Sequence, residues 1–457
     1  MAKDISARLR PASWAALVIG LLAAAVGVWR VWRQLSGDAA WPENHDFGLY
    51  LKAAQALWQG QNPYAAGLYG LDPYAYPPLI ADIVAALAKV FGAGALKVVW
   101  TALCGGALAA SIALLLRGFG ARLDWRWVIL ALGVALLGRT ARSDLYHGQV
   151  NFFILLFLVS GLWLRDKGLW LAAALSWAVM ADFKPFMGVV VLLSLGRREW
   201  KLAAATFVLS GLIFAASFLP AIAVLKETFL GWMASSRYYT AFDFSVQPNH
   251  QSLWSLFLRM FNENRYGGHW LDAAWLTPAL IVPITALLVW LLAQALPRRA
   301  PTASAAEAGG LSLLEAGMVL AAWMCVAPTT EGDHILLVVP GLVGAAMLAK
   351  SRLADRTPSA PLWAAALASW ALVTMKLALP FQSPTAFLTE SSWALLKGPG
   401  VLLSGYDGFC LFAAVLFAAL ALRAERRSLP AAAGQSTTPA AIPADSAGAA
   451  KQTGERA

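Results

Sequence analysis

Apolar runs of near-bilayer length recur along this chain, at about 13–29, 95–116, 127–137, 152–164, 169–180 with a continuation over 185–195, 202–219, 276–296, 311–326, 335–348, 362–379 and 401–422. About 20 apolar residues in a helix cover the hydrocarbon core of a bilayer, and every backbone amide there has to be satisfied within the protein. The pattern therefore predicts an all-α polytopic membrane protein with roughly 10–12 transmembrane helices. Composition agrees, since 59% of the 457 residues are hydrophobic and 13% charged, far from the balance of a soluble domain. The net charge of +10 would suggest nucleic acid in a soluble chain. Here Lys and Arg gather in connectors: Arg122 and Arg126; Arg165 and Lys167; Arg197, Arg198 and Lys201; Arg298 and Arg299; Lys350, Arg352 and Arg356; Arg423, Arg426 and Arg427. Such clusters orient a chain in a membrane, so the charge encodes topology and no nucleic-acid partner is expected.

Residues 1–12, with Lys3, Arg8 and Arg10, read as a cytoplasmic N-terminus, 13–429 as the membrane domain, and 430–457 as a disordered cytoplasmic tail too poor in apolar residues to fold. The first apolar run shows no small-residue cleavage site and continues into Trp29-Arg30-Val31-Trp32-Arg33, which marks it as an uncleaved anchor. With the basic connectors inside, a first exoplasmic loop (about 34–78), 139–151, 182–185, a large exoplasmic loop (about 226–275), 328–334 and 381–400 face outward. This holds if 79–91, a marginal run carrying Asp82 and Lys89, dips in and returns, and if 182–185 is a turn. If 79–91 crosses and 169–195 is one broken helix, the segment between them flips. Cys104, Cys325 and Cys410 lie apart in apolar surroundings, and the five histidines form no His-Glu-x-x-His pattern. No disulfide framework, metal or cofactor is expected.

Asp46 stands just beyond the first apolar run, with Phe47, Tyr50, Leu51, Ala54 and Leu57 following at helical spacing and Lys52, Gln55 and Gln59 opposite, as in an interfacial helix. A carboxylate there is either a helix cap or a base placed at the lipid boundary. Polar groups at the edges of other apolar runs favour the base: Gln149 and Asn151, Lys184 before Pro185, Asn249 and Gln251, and His334. Ionisable and amide side chains at that depth are costly and mark function by default. The large loop adds Arg237, Tyr239 and Arg259, and 139–151 adds Arg142. Arginines on an outer face run against the positive-inside bias and fit an anionic ligand or lipid headgroups.

The ordered set Asp46-x-x-x-Tyr50 with Ala53, Ala54, Leu57, Gly60 and Asn62-Pro63-Tyr64, then Tyr76-Pro77-Pro78, Gly148-Gln149-Val150-Asn151, Lys184-Pro185, and Asn249 with Gln251-Ser252-Leu253 resembles glycosyltransferase family 87. These membrane-embedded GT-C enzymes include polyprenol-phosphate-mannose-dependent α-1,2-mannosyltransferases. The chain departs from the family pattern in two places. His250 is an extra residue where the family usually reads Asn-Gln-Ser, and Ala327-Pro328-Thr329-Thr330-Glu331-Gly332-Asp333-His334 replaces a Ser-Pro, an aromatic and paired His or His-Tyr. The resemblance implies a GT-C-type helical bundle whose first exoplasmic loop carries the catalytic carboxylate. It further implies a polyprenyl-phosphate-linked sugar donor, a glycolipid or glycan acceptor, membrane lipids as surroundings, and a site on the periplasmic side of a bacterial inner membrane. Asp46 is then the base that deprotonates the acceptor. Lys184, His334, Arg142, Arg237 and Arg259 are candidates for the leaving phosphate; Tyr76 and Tyr239 offer sugar-stacking faces; Tyr50, Gln149, Asn151, Asn249 and Gln251 complete the set. The alternatives are a flippase of a polyprenyl-linked glycan, disfavoured by the lack of an internal repeat, and a non-catalytic envelope-assembly subunit.

Overall fold

The computed structural model describes residues 2–37, 46–65, 74–119, 124–247, 250–264, 270–296, 304–330, 332–378 and 406–428. The tail 430–457, residues 38–45 and 66–73 of the first loop, Asn249, Glu331 and the 381–400 connector lie outside them. In chain order the helices are α1 (Ala2–Gly37), α2 (Asp46–Trp58), α3 (Pro78–Phe91), α4 (Ala93–Arg117), α5 (Trp125–Leu137), α6 (Arg139–His147), α7 (Asn151–Asp166), α8 (Trp170–Phe183), α9 (Val191–Gly196), α10 (Trp200–Ser217), α11 (Leu225–Tyr238), α12 (Phe242–Ser245), α13 (Leu253–Phe261), α14 (Leu276–Ala295), α15 (Ala305–Val326), α16 (Val339–Ala354), α17 (Ala360–Ala378) and α18 (Tyr406–Ser428). Short 3₁₀ segments, Pro185–Val190, Leu219–Val224 and Gly332–Val338, precede α9, α11 and α16. Local chemistry explains several starts and stops. Asp124, Ser252 and Ser304 accept backbone N–H bonds at the starts of α5, α13 and α15, and Gly148, at φ 69°, ends α6 in the left-handed region that glycine tolerates.

The protein is an all-α polytopic membrane protein. Seven described helical spans are long and apolar enough to cross a bilayer: Ser13–Arg33, Ala95–Arg117, Trp200–Ser217, Leu276–Ala295, Ala305–Val326, His334–Ala354 and Tyr406–Glu425. Four more apolar helices of 10–17 residues fall below that length, and α6 with α7 forms a pair bent by 114°. Several runs counted as spans from sequence are thus shorter than the hydrocarbon core. Protein rather than lipid surrounds much of α7 and α8, and there a helix need not match the bilayer.

Side-chain contacts fix which end of each helix lies where. Ser13 in α1 accepts from Arg126 Nη1 at the start of α5 (2.8 Å), while Gly27 lies against Leu136 at the far end of α5. The two helices are parallel. α7 and α8 form an antiparallel hairpin, with Ser176 Oγ donating to the Phe157 carbonyl (2.8 Å) and Phe183 packing on Phe153 and Phe157. Asn151, at the start of α7, receives Lys184 Nζ (2.9 Å), whereas Arg165 at its other end donates to Ser312 Oγ on α15 (2.6 Å). Nearby on α15, Glu315 pairs with Arg197, which caps α9. The chain therefore turns at Lys184 and returns to the Arg165 end, so 182–185 is a turn and 169–195 is a hairpin. α3 starts beside Tyr76 and ends at Gly92, where α4 begins; α4 then passes Gly148, to which Trp100 Nε1 donates (2.8 Å), and reaches Gly118 beside Trp163. Both ends of α3 lie at the Asp46 end, and 79–91 does not cross.

α15 is the axis of the bundle, with 89% of its span buried. Glycines let its neighbours close on it: a Cβ on Gly317 would stand 2.3 Å from Gly341 Cα, and one on Gly341 would stand 2.4 Å from the Trp370 ring. Glu315 (side chain 1% exposed) and Arg197 (4%) anchor α9 to this axis. Glu315→Ala should cost about 3–5 kcal/mol, because it takes the buried carboxylate away from a buried guanidinium whose other acid, the more exposed Glu199, stands 4.0 Å away, and the double change to Arg197→Met with Glu315→Leu should recover most of the loss. Thermal unfolding in detergent measures both. Equal stability of Glu315→Ala and wild type would mean that the pair is solvated.

Candidate active site

Asp46 opens α2, whose buried residues Phe47, Leu49, Tyr50, Ala53, Ala54 and Leu57 hold the helix against the bundle. That packing aims the carboxylate inward. Oδ2 accepts from Gln149 Nε2 (2.6 Å) and Oδ1 accepts from the Tyr76 hydroxyl (3.2 Å). Both partners are far away in sequence, so the carboxylate belongs to a tertiary network and not only to the local start of a helix. Gln149 sits just past the break between α6 and α7, where Trp100 Nε1 fixes the Gly148 carbonyl and Gln149 N–H donates to the Asp144 carbonyl (2.9 Å).

Lys184 occupies the second part of the site. It is buried at 6% exposure, at an extended residue (φ −140°, ψ 107°) forced by the following Pro185. Its ammonium donates to Asn151 Oδ1 (2.9 Å) and meets His334 Nε2 at 3.0 Å. An ammonium has only protons to give, so this Nε2 accepts and the imidazole carries its proton on Nδ1. Behind Asn151 its Nδ2 donates to Asp144 Oδ1 (3.1 Å), so a buried carboxylate polarises the amide that holds the lysine. Asp182, two residues from Lys184, makes no ion pair with it: both its buried carboxylate oxygens lack a hydrogen-bond partner among the described residues.

Tyr76 joins the two parts. Its hydroxyl is on Asp46, and its ring centroid lies 5.8 Å from Lys184 Nζ. Burial first, then the Asp46 charge, hold the phenols of Tyr76 and Tyr50 protonated well above the usual range, so Tyr76 remains a donor to the carboxylate. Tyr50 is fully buried and meets Tyr76 edge to face at 5.0 Å, with Tyr74 at 5.8 Å from Tyr76 on another side. Tyr50, expected among the substrate-binding residues, is thus packed against the Tyr76 ring. Tyr64 donates to the Tyr76 carbonyl (2.6 Å) and completes the aromatic support.

The other expected residues divide. Tyr239 lies close enough to Tyr76 to be felt by its phenol and packs 4.6 Å from Phe244. Gln251 is buried beside the 3₁₀ segment that carries His334, its N–H donating to the Thr330 carbonyl (2.8 Å). Arg259 is buried at 1% exposure and donates to the Gln247 carbonyl (2.9 Å); burial pulls it down to about 9, which leaves it charged at neutral pH. Arg142 is half-buried, with Nε on the carbonyl of Gly138 in its own helical turn (3.4 Å), and Arg237 is exposed on α11. Two residues of this region, Asp144 and His250, carry no signal of function in the sequence. Asp144 is hidden in a charged stretch that reads as loop, and His250 has the character of an insertion.

The sequence profile of glycosyltransferase family 87 matches residues 74–323, more than half of the chain. The chain belongs to glycosyltransferase family 87. It is accordingly a membrane glycosyltransferase, with a sugar donor and an acceptor as substrates. Neither a curated protein nor a solved structure matches it. The family-87 match contains Tyr76, Gln149, Asn151, Lys184 and Gln251, while Asp46 and His334 fall outside it. Their direct bonds to Gln149, Tyr76 and Lys184 are what attach them to the family segment.

Proposed function

We infer that this family-87 enzyme moves a sugar, mannose or a similar hexose or pentose, from a polyprenyl-phosphate donor to a glycolipid or glycan acceptor at the outer face of the membrane. The observation that carries the reading is Tyr76, with a carboxylate on its hydroxyl and a buried ammonium against its ring. A sugar lying along that ring has a base on one side and a cation on the other. Asp46 takes the proton of the acceptor hydroxyl, the hydroxyl oxygen forms its bond to the anomeric carbon, and the bond from that carbon to phosphate oxygen breaks. Lys184, held by Asn151 and His334, meets the negative charge that stays on the departing polyprenyl phosphate. A single carboxylate acting as base favours direct displacement with inversion at the anomeric carbon. No metal enters this scheme.

Sidedness follows from charge. Arg126, Arg165, Arg197 and Arg352 stand at the end of the bundle away from Asp46, and basic connectors are retained in the cytoplasm. This supports an active site on the outer, periplasmic side. Right-side-out vesicles given a short-chain polyprenyl-phosphate mannose should glycosylate a membrane-impermeant acceptor, inverted vesicles should not, and a chelator should leave the rate unchanged. Transfer only in inverted vesicles would reverse the orientation, and strict dependence on added Mg²⁺ or Mn²⁺ would overturn the metal-free scheme. Movement of the intact lipid-linked sugar across the bilayer without transfer would favour a flippase.

A further inference from the structure

His250 is fully buried, and among the described residues neither of its ring nitrogens has a hydrogen-bond partner. Phe244 packs against the ring at 4.7 Å, with Tyr239 beyond it at 4.6 Å from Phe244. The ring lies near enough to His334 and to Arg259 to interact electrostatically with both. The next residue, Gln251, is tied to Thr330 and Gly408 through its backbone. So Lys184, His334, His250 and Arg259 form a connected buried group, and His250 is the member whose polar atoms are unmet. Buried polar atoms without partners cost stability and persist where a ligand meets them.

We propose that His250 hydrogen-bonds a hydroxyl of the transferred sugar and helps to set which sugar the enzyme accepts. This rests on the function proposed above and adds a residue and a role to it. Burial, then the neighbouring Arg259 charge, pull the imidazole down to about 3, so it is neutral at working pH, with one N–H and one lone pair. A phosphate has oxygens but no proton to offer at neutral pH, and it would satisfy only the N–H. A sugar hydroxyl both gives and accepts, so it can meet either nitrogen in either tautomer. The charged groups Lys184 and Arg259 suit phosphate better. A site built around a hydroxyl rejects the analogue that lacks it far more strongly than an apolar pocket rejects a change of size.

The test uses detergent-purified full-length protein with polyprenyl-phosphate mannose, its 3-, 4- and 6-deoxy analogues, and polyprenyl phosphate alone. His250→Phe, which keeps a ring against Phe244, should lower kcat/KM for the parent donor by roughly 30- to 100-fold. It should lose nothing further on one deoxy analogue, should bind polyprenyl phosphate as wild type does, and should melt no lower than wild type in the absence of substrate. His250→Asn, which retains a donor and an acceptor, should restore part of the rate. Unchanged selectivity and rate in His250→Phe would mean that water meets these nitrogens, and an equal loss of polyprenyl-phosphate binding would mean that phosphate does; either result overturns the proposal. A lower melting temperature with unchanged selectivity assigns His250 a purely structural role. If wild type ignores every polyprenyl-phosphate sugar, the proposed function and this proposal both fall. If wild type is active while His250→Phe discriminates as wild type does, this proposal alone falls.

Discussion

Asp46→Asn should lower kcat by about 10³- to 10⁴-fold, the scale of a lost general base, with little change in donor KM or in folding. The geometry explains why the fold survives. Asn Oδ1 can take the Gln149 Nε2 proton in place of Oδ2, and its Nδ2 can donate to the Tyr76 oxygen, whose own proton turns toward Gln149 Oε1, 3.5 Å away. Both hydrogen bonds persist with amide chemistry, so the melting temperature should stay within the equivalent of about 1 kcal/mol. The change removes basicity alone. Initial rates with saturating acceptor and varied donor separate the terms, and a variant turning over near the wild-type rate would strip Asp46 of the base role. The experiment matters more than usual because the family match starts at Tyr74, so Asp46 is tied to the family segment by contacts and not by the match itself.

The membrane scaffold was largely legible in the chain, and its outer surface was not. The run read as 276–296 is the helix Leu276–Ala295, and 202–219 is Trp200–Ser217, because a lipid-length apolar run has few alternatives to a helix. The 139–151 and 226–275 stretches, read as loops, contain α6 and then α11, α12 and α13. Those helices are short and mixed in polarity, and the protein partly covers them, so no long apolar signal announces them. Parity, which charge clusters leave open, is decided by tertiary contacts: Arg165 and Arg197 meet neighbouring residues of α15. The residues of the candidate site were mostly singled out from sequence, but their pairing was hidden: Lys184 and His334 are 150 positions apart, and the 182–185 turn and the 3₁₀ segment Gly332–Val338 bring them together. His250 carried no periodic signal. Its importance lies in what its nitrogens lack, a property of packing that no spacing encodes.

Lys184→Ala should raise donor KM and lower kcat/KM by about 10²- to 10³-fold while acceptor KM moves by less than about threefold, as expected where one buried charge-assisted contact to phosphate is lost. The contacts that hold Lys184 include two neutral groups, the Asn151 amide and the His334 imidazole, with Asp144 one step behind the amide. Neutral groups fix the ammonium in place without cancelling its charge, which suits a cation meant to meet an incoming anion. Truncation also leaves Asn151 Oδ1 and His334 Nε2 short of a donor, at a cost of about 1–3 kcal/mol, so a melting curve has to accompany the kinetics. Lys184→Met, which keeps the length and apolar stem, distinguishes the two effects: it should hold stability closer to wild type and lose donor affinity as fully as Ala does. Polyprenyl phosphate, the leaving product, should become a weaker inhibitor by the same factor as the donor, since both present the same phosphate. A variant that loses acceptor and donor affinity equally, or that keeps product inhibition intact, would move Lys184 out of the phosphate site and leave the charge of the departing group to Arg259.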